Sequence, residues 1–160
     1  MKQVFAILII SSFISCNSSA QNEKKEEVYK ITKTEAEWRQ QLTEMQYYVL
    51  REAGTERAWT HEYNYLKDEG TYLCAACETP LFKSKHKYDS GSGWPSFDRE
   101  IDGNVAYSID YNIGVARKEE HCATCGGHLG HVFDDGPQKT TGLRHCINGA
   151  ALKFVPKKKD

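Results

Sequence analysis

The 160-residue sequence predicts a mainly β domain with a flanking N-terminal helix and a cysteine-built structural metal site. Three observations carry this. A helical repeat of apolar residues is confined to the stretch before Gly54. After it come short runs rich in glycine, aromatic and β-branched residues, one of them alternating apolar and polar with a period of two. Four cysteines then form two CxxC pairs with 44 residues between Cys77 and Cys122, a pattern suited to metal ligation.

The first element in chain order stands apart from the domain. Lys2 gives a positive start, and Val4 to Ile14 runs without a charge. Eleven residues are too few to span a bilayer, which takes about 20 as helix, so residues 1–15 read as a secretory signal peptide and are set aside from fold reasoning. Cys16 follows directly. Its placement resembles the lipobox of bacterial lipoproteins, in which the cysteine is acylated and becomes the new N-terminus, although Phe13 and Ile14 depart from the Leu and small residue usual there. Cleavage after Ala20, in Ser18-Ser19-Ala20, and an uncleaved anchor are the two other readings. Each makes this an exported protein of the bacterial cell envelope, lipid-anchored or periplasmic. Residues 16–33, rich in Asn, Ser, Lys and Glu, read as a flexible tether. The domain follows at 34–156, and residues 157–160 form a solvated basic tail. The formal net charge of −1 lacks the basic excess of a nucleic-acid binder.

Within the domain, Thr34 and Glu37 form a capping box, and Trp38, Leu42, Met45 and Val49 follow at helical spacing. This predicts one amphipathic helix over 34–52, ended by Gly54, with its stripe as a packing face. Beyond it, Val105, Tyr107 and Ile109 alternate with Ala106, Ser108 and Asp110 after the turn signal Asp102-Gly103, as in a half-buried strand. Ile113–Arg117, His131–Phe133 and Ala151–Val155 are further strand candidates. Helix signals are weak from 71 to 156.

The pairs Cys74/Cys77 and Cys122/Cys125 can each point two thiolates to one side, and two such turns facing each other make a tetrahedral cage for a structural Zn²⁺, one per chain. Two disulfides, or one CxxC acting as a redox pair, are the competing readings. If Cys16 is acylated or removed, Cys146 is the free thiol of the mature chain. Its neighbours Arg144 and His145 can favour the nucleophilic thiolate, although a buried inert cysteine is as common a use of the residue.

The motifs Gly54-Thr55-Glu56, Thr79-Pro80-Leu81-Phe82, Ser90-Gly91-Ser92-Gly93-Trp94-Pro95-Ser96-Phe97, His128-Leu129-Gly130-His131-Val132-Phe133 and Arg144-His145-Cys146-Ile147-Asn148 occur in that order with the two CxxC pairs. In combination they resemble the methionine sulfoxide reductase B family, over residues 34 to 156. The resemblance implies a domain of antiparallel sheets and thiol-dependent reduction of the R epimer of methionine sulfoxide, mainly within proteins. It places the nucleophile on Cys146, two active-site histidines on His128 and His131, the methyl-binding tryptophan on Trp94, the active-site asparagine on Asn148 and the zinc ligands on Cys74, Cys77, Cys122 and Cys125. Asp135, four residues after His131, is a candidate to orient that ring.

Two departures stand out. Many members carry a resolving cysteine where this chain has Ser92, which implies a single-cysteine cycle in which an external thiol, such as a thioredoxin-like partner, reduces the Cys146 sulfenic acid. His145 stands where Tyr or Phe is usual and adds a second titrating group near the thiol. The competing functions are a non-catalytic zinc-ribbon binding module and a thiol-disulfide oxidoreductase using one CxxC. Neither needs Cys146, Trp94 and the histidines together. A monomer is assumed.

Overall fold

A computed structural model describes residues 28–158. The stretch expected to be a signal peptide and Cys16 with its expected acylation lie outside the described residues, as does most of the expected tether. The tether's last part is docked: the Ile31 N–H donates to the Thr124 carbonyl at 3.0 Å. Among the described residues, no helix is long and apolar enough to cross a membrane.

The single predicted helix is two, α1 (Glu35–Gln41) and α2 (Glu44–Glu52). The break has a local cause. Leu42 is extended, with φ −101° and ψ 148°, and Thr43 begins a second capping box with Gln46 that competes with a continuous helix. Trp38, Leu42 and Val49 are buried as the stripe requires, but the break turns Met45 outward, 49% exposed. At the far end Ala53 adopts the left-handed conformation at φ 52°. Gly54 follows beneath the Tyr48 ring, with no space for a Cβ.

The rest is antiparallel sheet, in line with the predicted class. The strands are β1 (Gly70–Cys74), β2 (Pro80–Lys83), β3 (Lys87–Tyr88), β4 (Ser96–Phe97), β5 (Val105–Asp110), β6 (Arg117–Cys122), β7 (His128–Phe133), β8 (Arg144–Ile147) and β9 (Leu152–Pro156). They form a three-stranded sheet in the order β2-β1-β9 and a six-stranded sheet in the order β3-β4-β8-β7-β6-β5. The segment Ile113–Arg117 is not a strand: residues 111–116 are the tip of the β5–β6 hairpin, and the strand begins at Arg117. Ile113 and Val115 therefore stand in solvent, although their composition suits a sheet.

Between the sheets lies an aromatic core. Phe82 stacks on Phe97 with ring centroids 4.4 Å apart, and Tyr72 meets Phe97 edge-on at 5.1 Å. Each such ring taken out of water contributes about 1.5–3 kcal/mol. The helix α2 packs on β7, where Gly127 admits Leu50. This leaves the other face of the six-stranded sheet free to carry polar groups.

Candidate active site and metal centre

Cys74 ends β1 and Cys122 ends β6, so each CxxC turn caps the end of a different sheet. The turns are built alike: the Glu78 N–H donates to Cys74 O and the Gly126 N–H to Cys122 O, each at 2.8 Å. They bring the four sulfurs within 4.8 Å of one another. Cys77 Sγ lies 3.5 Å from Cys122 Sγ, and Cys74 Sγ 3.8 Å from Cys125 Sγ. Four sulfurs at about 2.3 Å from a zinc ion would be about 3.8 Å apart, whereas a disulfide needs about 2.05 Å. The cluster could hold a zinc ion, and its geometry is not that of two disulfides.

The second group of residues forms on the free face of the six-stranded sheet, and strand register explains why. Cys146 in β8 lies opposite His131 in β7 and Ser96 in β4. Residues opposed across antiparallel strands share a face. His131 opposes Glu119, and His128 opposes His121. Glu119 and His121 share a face of β6, so the register slip in β7 around Leu129 returns His128 to the side of His131. A regular strand would have placed residues 128 and 131 on opposite faces. The two rings stand 5.5 Å apart, edge to face.

Cys146, His131, Trp94 and Asn148 line a cavity of about 120 Å³, with Arg117 and Phe133 on its other walls. His128 lies behind it, its Nδ1 2.6 Å from Glu119 Oε1. The side-chain N–H of Trp94 donates to the Glu56 carbonyl at 3.1 Å. Asn148 accepts from the Glu56 N–H and donates to the Leu129 carbonyl, each at 3.0 Å. The Glu56 carboxylate accepts the Gly149 and Ala150 N–H groups at 2.5 and 2.9 Å. Glu56, buried, thus clamps the Trp94 wall to the Asn148 loop. Its motif Gly54-Thr55-Glu56 is visible in the sequence, but nothing there assigns it a role.

The carboxylate on His131 is Asp110, not Asp135: Asp110 Oδ2 is hydrogen-bonded to His131 Nε2. Asp135 instead makes a two-pronged pair with Arg144, at 2.7 and 2.9 Å. Sequence proximity favoured Asp135, but residue 135 has passed the end of β7, whereas β6 pairs with both β5 and β7 and carries Asp110 toward His131. Asp110 also accepts from Arg117 at 2.8 Å and from the Asn112 N–H at 2.6 Å. Burial alone would raise the Asp110 carboxyl, but the Asn112 N–H, His131 and Arg117 outweigh it and hold it at about 2. Burial pulls His131 below its ordinary 6.5, against the opposing pull of Asp110.

Burial likewise pushes the Cys146 thiol above its ordinary value, while Ser92, whose Oγ is 3.7 Å from Sγ, and Arg144 pull it down. His145 faces the other side of the sheet. It is fully buried, with Nδ1 2.6 Å from Glu120 and Nε2 3.2 Å from Glu100.

The SelR domain matches residues 42–156. A protein from Chromohalobacter salexigens named peptide methionine sulfoxide reductase MsrB is 52% identical over 128 residues, covering 79% of this chain and 96% of the relative. One of the same name from Burkholderia multivorans is 49% identical over 134 residues, covering 83% and 94%. With the antiparallel fold predicted from its sequence, the chain belongs by these matches to the methionine sulfoxide reductase B family, whose domain is SelR.

Proposed function

We propose that this chain reduces the R epimer of methionine sulfoxide in oxidised proteins, with Cys146 as nucleophile and His131 as proton donor. The observation that carries the reading is the cavity itself: a largely buried thiol that still lines it, an Asp110-held imidazole and the Trp94 face converge on a space sized for one side chain. Around neutral pH the raised thiol and the lowered imidazole both start uncharged. Passing the thiol proton to His131 makes nucleophile and acid together, and Asp110 steadies the resulting imidazolium. The Cys146 thiolate attacks the sulfoxide sulfur, and the oxygen accepts the His131 proton. The sulfoxide gains two electrons and becomes the thioether, and Cys146 becomes a sulfenic acid.

Trp94 offers the methyl group a flat apolar wall, which supports epimer selection. Asn148 spends both ends of its amide on Glu56 and Leu129, so its part is to position that wall. Cys74, Cys77, Cys122 and Cys125 would hold one Zn²⁺ as a closed structural site, supplying a cross-link between the sheets and no reactive position. Ser92 beside Cys146 favours an external thiol reductant over an internal disulfide. The N-terminal sequence supports export to the cell envelope with a lipid on Cys16.

The test gives the protein separated R and S epimers of a protected methionine sulfoxide with a dithiol, and follows methionine by chromatography. Turnover of the R epimer alone, lost in a folded Cys146→Ser variant, is expected. A folded, metal-loaded protein that turns over neither epimer refutes the reading.

A further inference from the structure

The tip of the β5–β6 hairpin carries side chains unlike those of an ordinary turn in water. Such tips are built mainly from Gly, Asn, Asp, Ser and Pro. In residues 111–116 only Asn112 and Gly114 are of that kind. The Asn112 N–H donates to Asp110 Oδ1 at 2.6 Å, the Gly114 N–H donates to the Tyr111 carbonyl at 2.8 Å, and Gly114 takes φ 81°. Between them stand Tyr111, Ile113 and Val115, which are 68, 64 and 58% exposed. Single apolar side chains on a surface are ordinary, whereas several gathered on one projecting turn mark a contact surface.

The tip sits at the end of the sheet where the methionine cavity is walled. Asp110 ends β5, Arg117 begins β6, and the two are paired. Asp110 holds His131, and Arg117 lines the cavity. Phe133, the other wall on that side, follows Val132, which pairs with Lys118. Tyr111 is thus one residue from the carboxylate on the histidine, and Val115 two residues from a cavity wall. The cavity, at about 120 Å³, takes one side chain, so the rest of a substrate polypeptide lies outside it. Methionine is mainly a core residue, and its oxidation disrupts the core around it. The chain beside a methionine sulfoxide is therefore rich in apolar side chains that have lost their own packing.

We propose that Tyr111, Ile113 and Val115 form the docking surface for the substrate polypeptide, gripping apolar side chains that flank the methionine sulfoxide. The proposal rests on the reductase reading above. At about 3.3 Å per residue, the flanks that reach the tip are roughly two to four positions from the sulfoxide. The grip is apolar. Residues 111–116 include no Asp, Glu, Lys or Arg. The charges at the hairpin base are already engaged: Asp110 with Arg117 and His131, Glu119 with His128 and Ser108, and the Lys118 ammonium over the Tyr107 ring at 4.0 Å. A lipid surface fits the tip less well. The N-terminal segment joins the domain at Thr124, beyond the far end of β6, about 20 Å of strand from the tip.

The test compares three substrates, with a dithiol in excess. Two peptides of equal length and charge each carry one methionine sulfoxide, flanked on both sides by leucines in one and by serines in the other. Protected methionine sulfoxide is the third, and each peptide's kcat/KM is divided by its value in the same protein. The leucine peptide is expected to exceed the serine peptide by about tenfold. The gap should persist as salt rises, since no charge pair carries it. A variant with Tyr111→Ser, Ile113→Ser and Val115→Ser, all exposed positions, should bring the two peptides to within about twofold. Equal peptide rates in the parent overturn the proposal; a dimer or vesicle binding that the variant loses would then give the tip to a second copy or a lipid surface. A variant that keeps the gap, or slows all three substrates alike, also overturns it, because the tip then serves no peptide or merely supports Asp110. No turnover of protected methionine sulfoxide by the folded parent overturns the reductase reading beneath.

Discussion

Cys146 is held in a contest between burial and two neighbours. Burial raises its thiol above the ordinary 9.0, and Ser92 and Arg144 pull it back. The alkylation rate with iodoacetamide should therefore rise with pH through a midpoint above 9.0. Arg144→Ala, which removes a cation, should move that midpoint further up, and a midpoint that falls would contradict the assignment. His131 depends on Asp110 in the same way. Because Asp110 raises the imidazole, Asp110→Asn should lower the His131 titration followed by NMR and cut kcat by about a hundredfold, the low end for a general acid. Asp110 also has a stability signature. Its folded value of about 2 lies below the ordinary 3.8, so the stabilisation it gives is complete above about pH 4 and is lost as pH falls through 3.8 toward 2. Denaturant midpoints measured across that window should drop in the parent more steeply than in Asp110→Asn.

At the scale of the element, capping chemistry and strand register do more than periodicity. Thr34 and Glu37 were legible as a helix start because they precede the apolar repeat. Thr43 and Gln46 have the same pattern but sit inside the repeat, where the stripe of Trp38, Leu42, Met45 and Val49 hides them. Thr43→Ala should cost about 1 kcal/mol in a denaturant titration. A loss within error would mean that packing of Leu42, not the cap, breaks the helix. The β7 slip is the counterpart in the sheet. Its motif is plain in the sequence, but a period of two separates His128 from His131, and only pairing with β6 brings them to one face. The charged run Arg117–Cys122 gave no strand signal for a related reason: its polar residues find partners across the strands, Arg117 and Glu119 with Asp110 and His128 on the site face and Glu120 with His145 on the opposite face.

For the whole molecule, the cysteine cluster is the joint between the two sheets. Loss of the metal would leave four thiols crowded within 4.8 Å and the ends of β1 and β6 unlinked. Metal analysis should find about one zinc per chain, and its removal by a chelator with a thiol-blocking reagent should abolish the near-ultraviolet circular dichroism and the activity together, since binding energy in such sites is folding energy. A metal-free protein with native dichroism and full turnover would remove zinc from the account of stability. The aromatic layer of Tyr72, Phe82 and Phe97 sits near this joint, so both supports act on the same sheet-to-sheet contact.

The sequence by itself determined the class of fold, the cysteine set, Cys146 as the cysteine of the domain outside the two CxxC pairs, and the family, because these rest on residue types in a fixed order. The tertiary structure alone decided that Asp110 and not Asp135 holds His131, that Glu56 clamps Trp94 to Asn148, and that His145 points away from the thiol beside it in the chain. Those pairings join residues 21 to 92 positions apart through strand register and loop packing. Local pattern reports which face a residue prefers, and a buried carboxylate at the end of a strand has no preference that composition reveals. Only the neighbour that the sheet sets against it gives it a reason to be there.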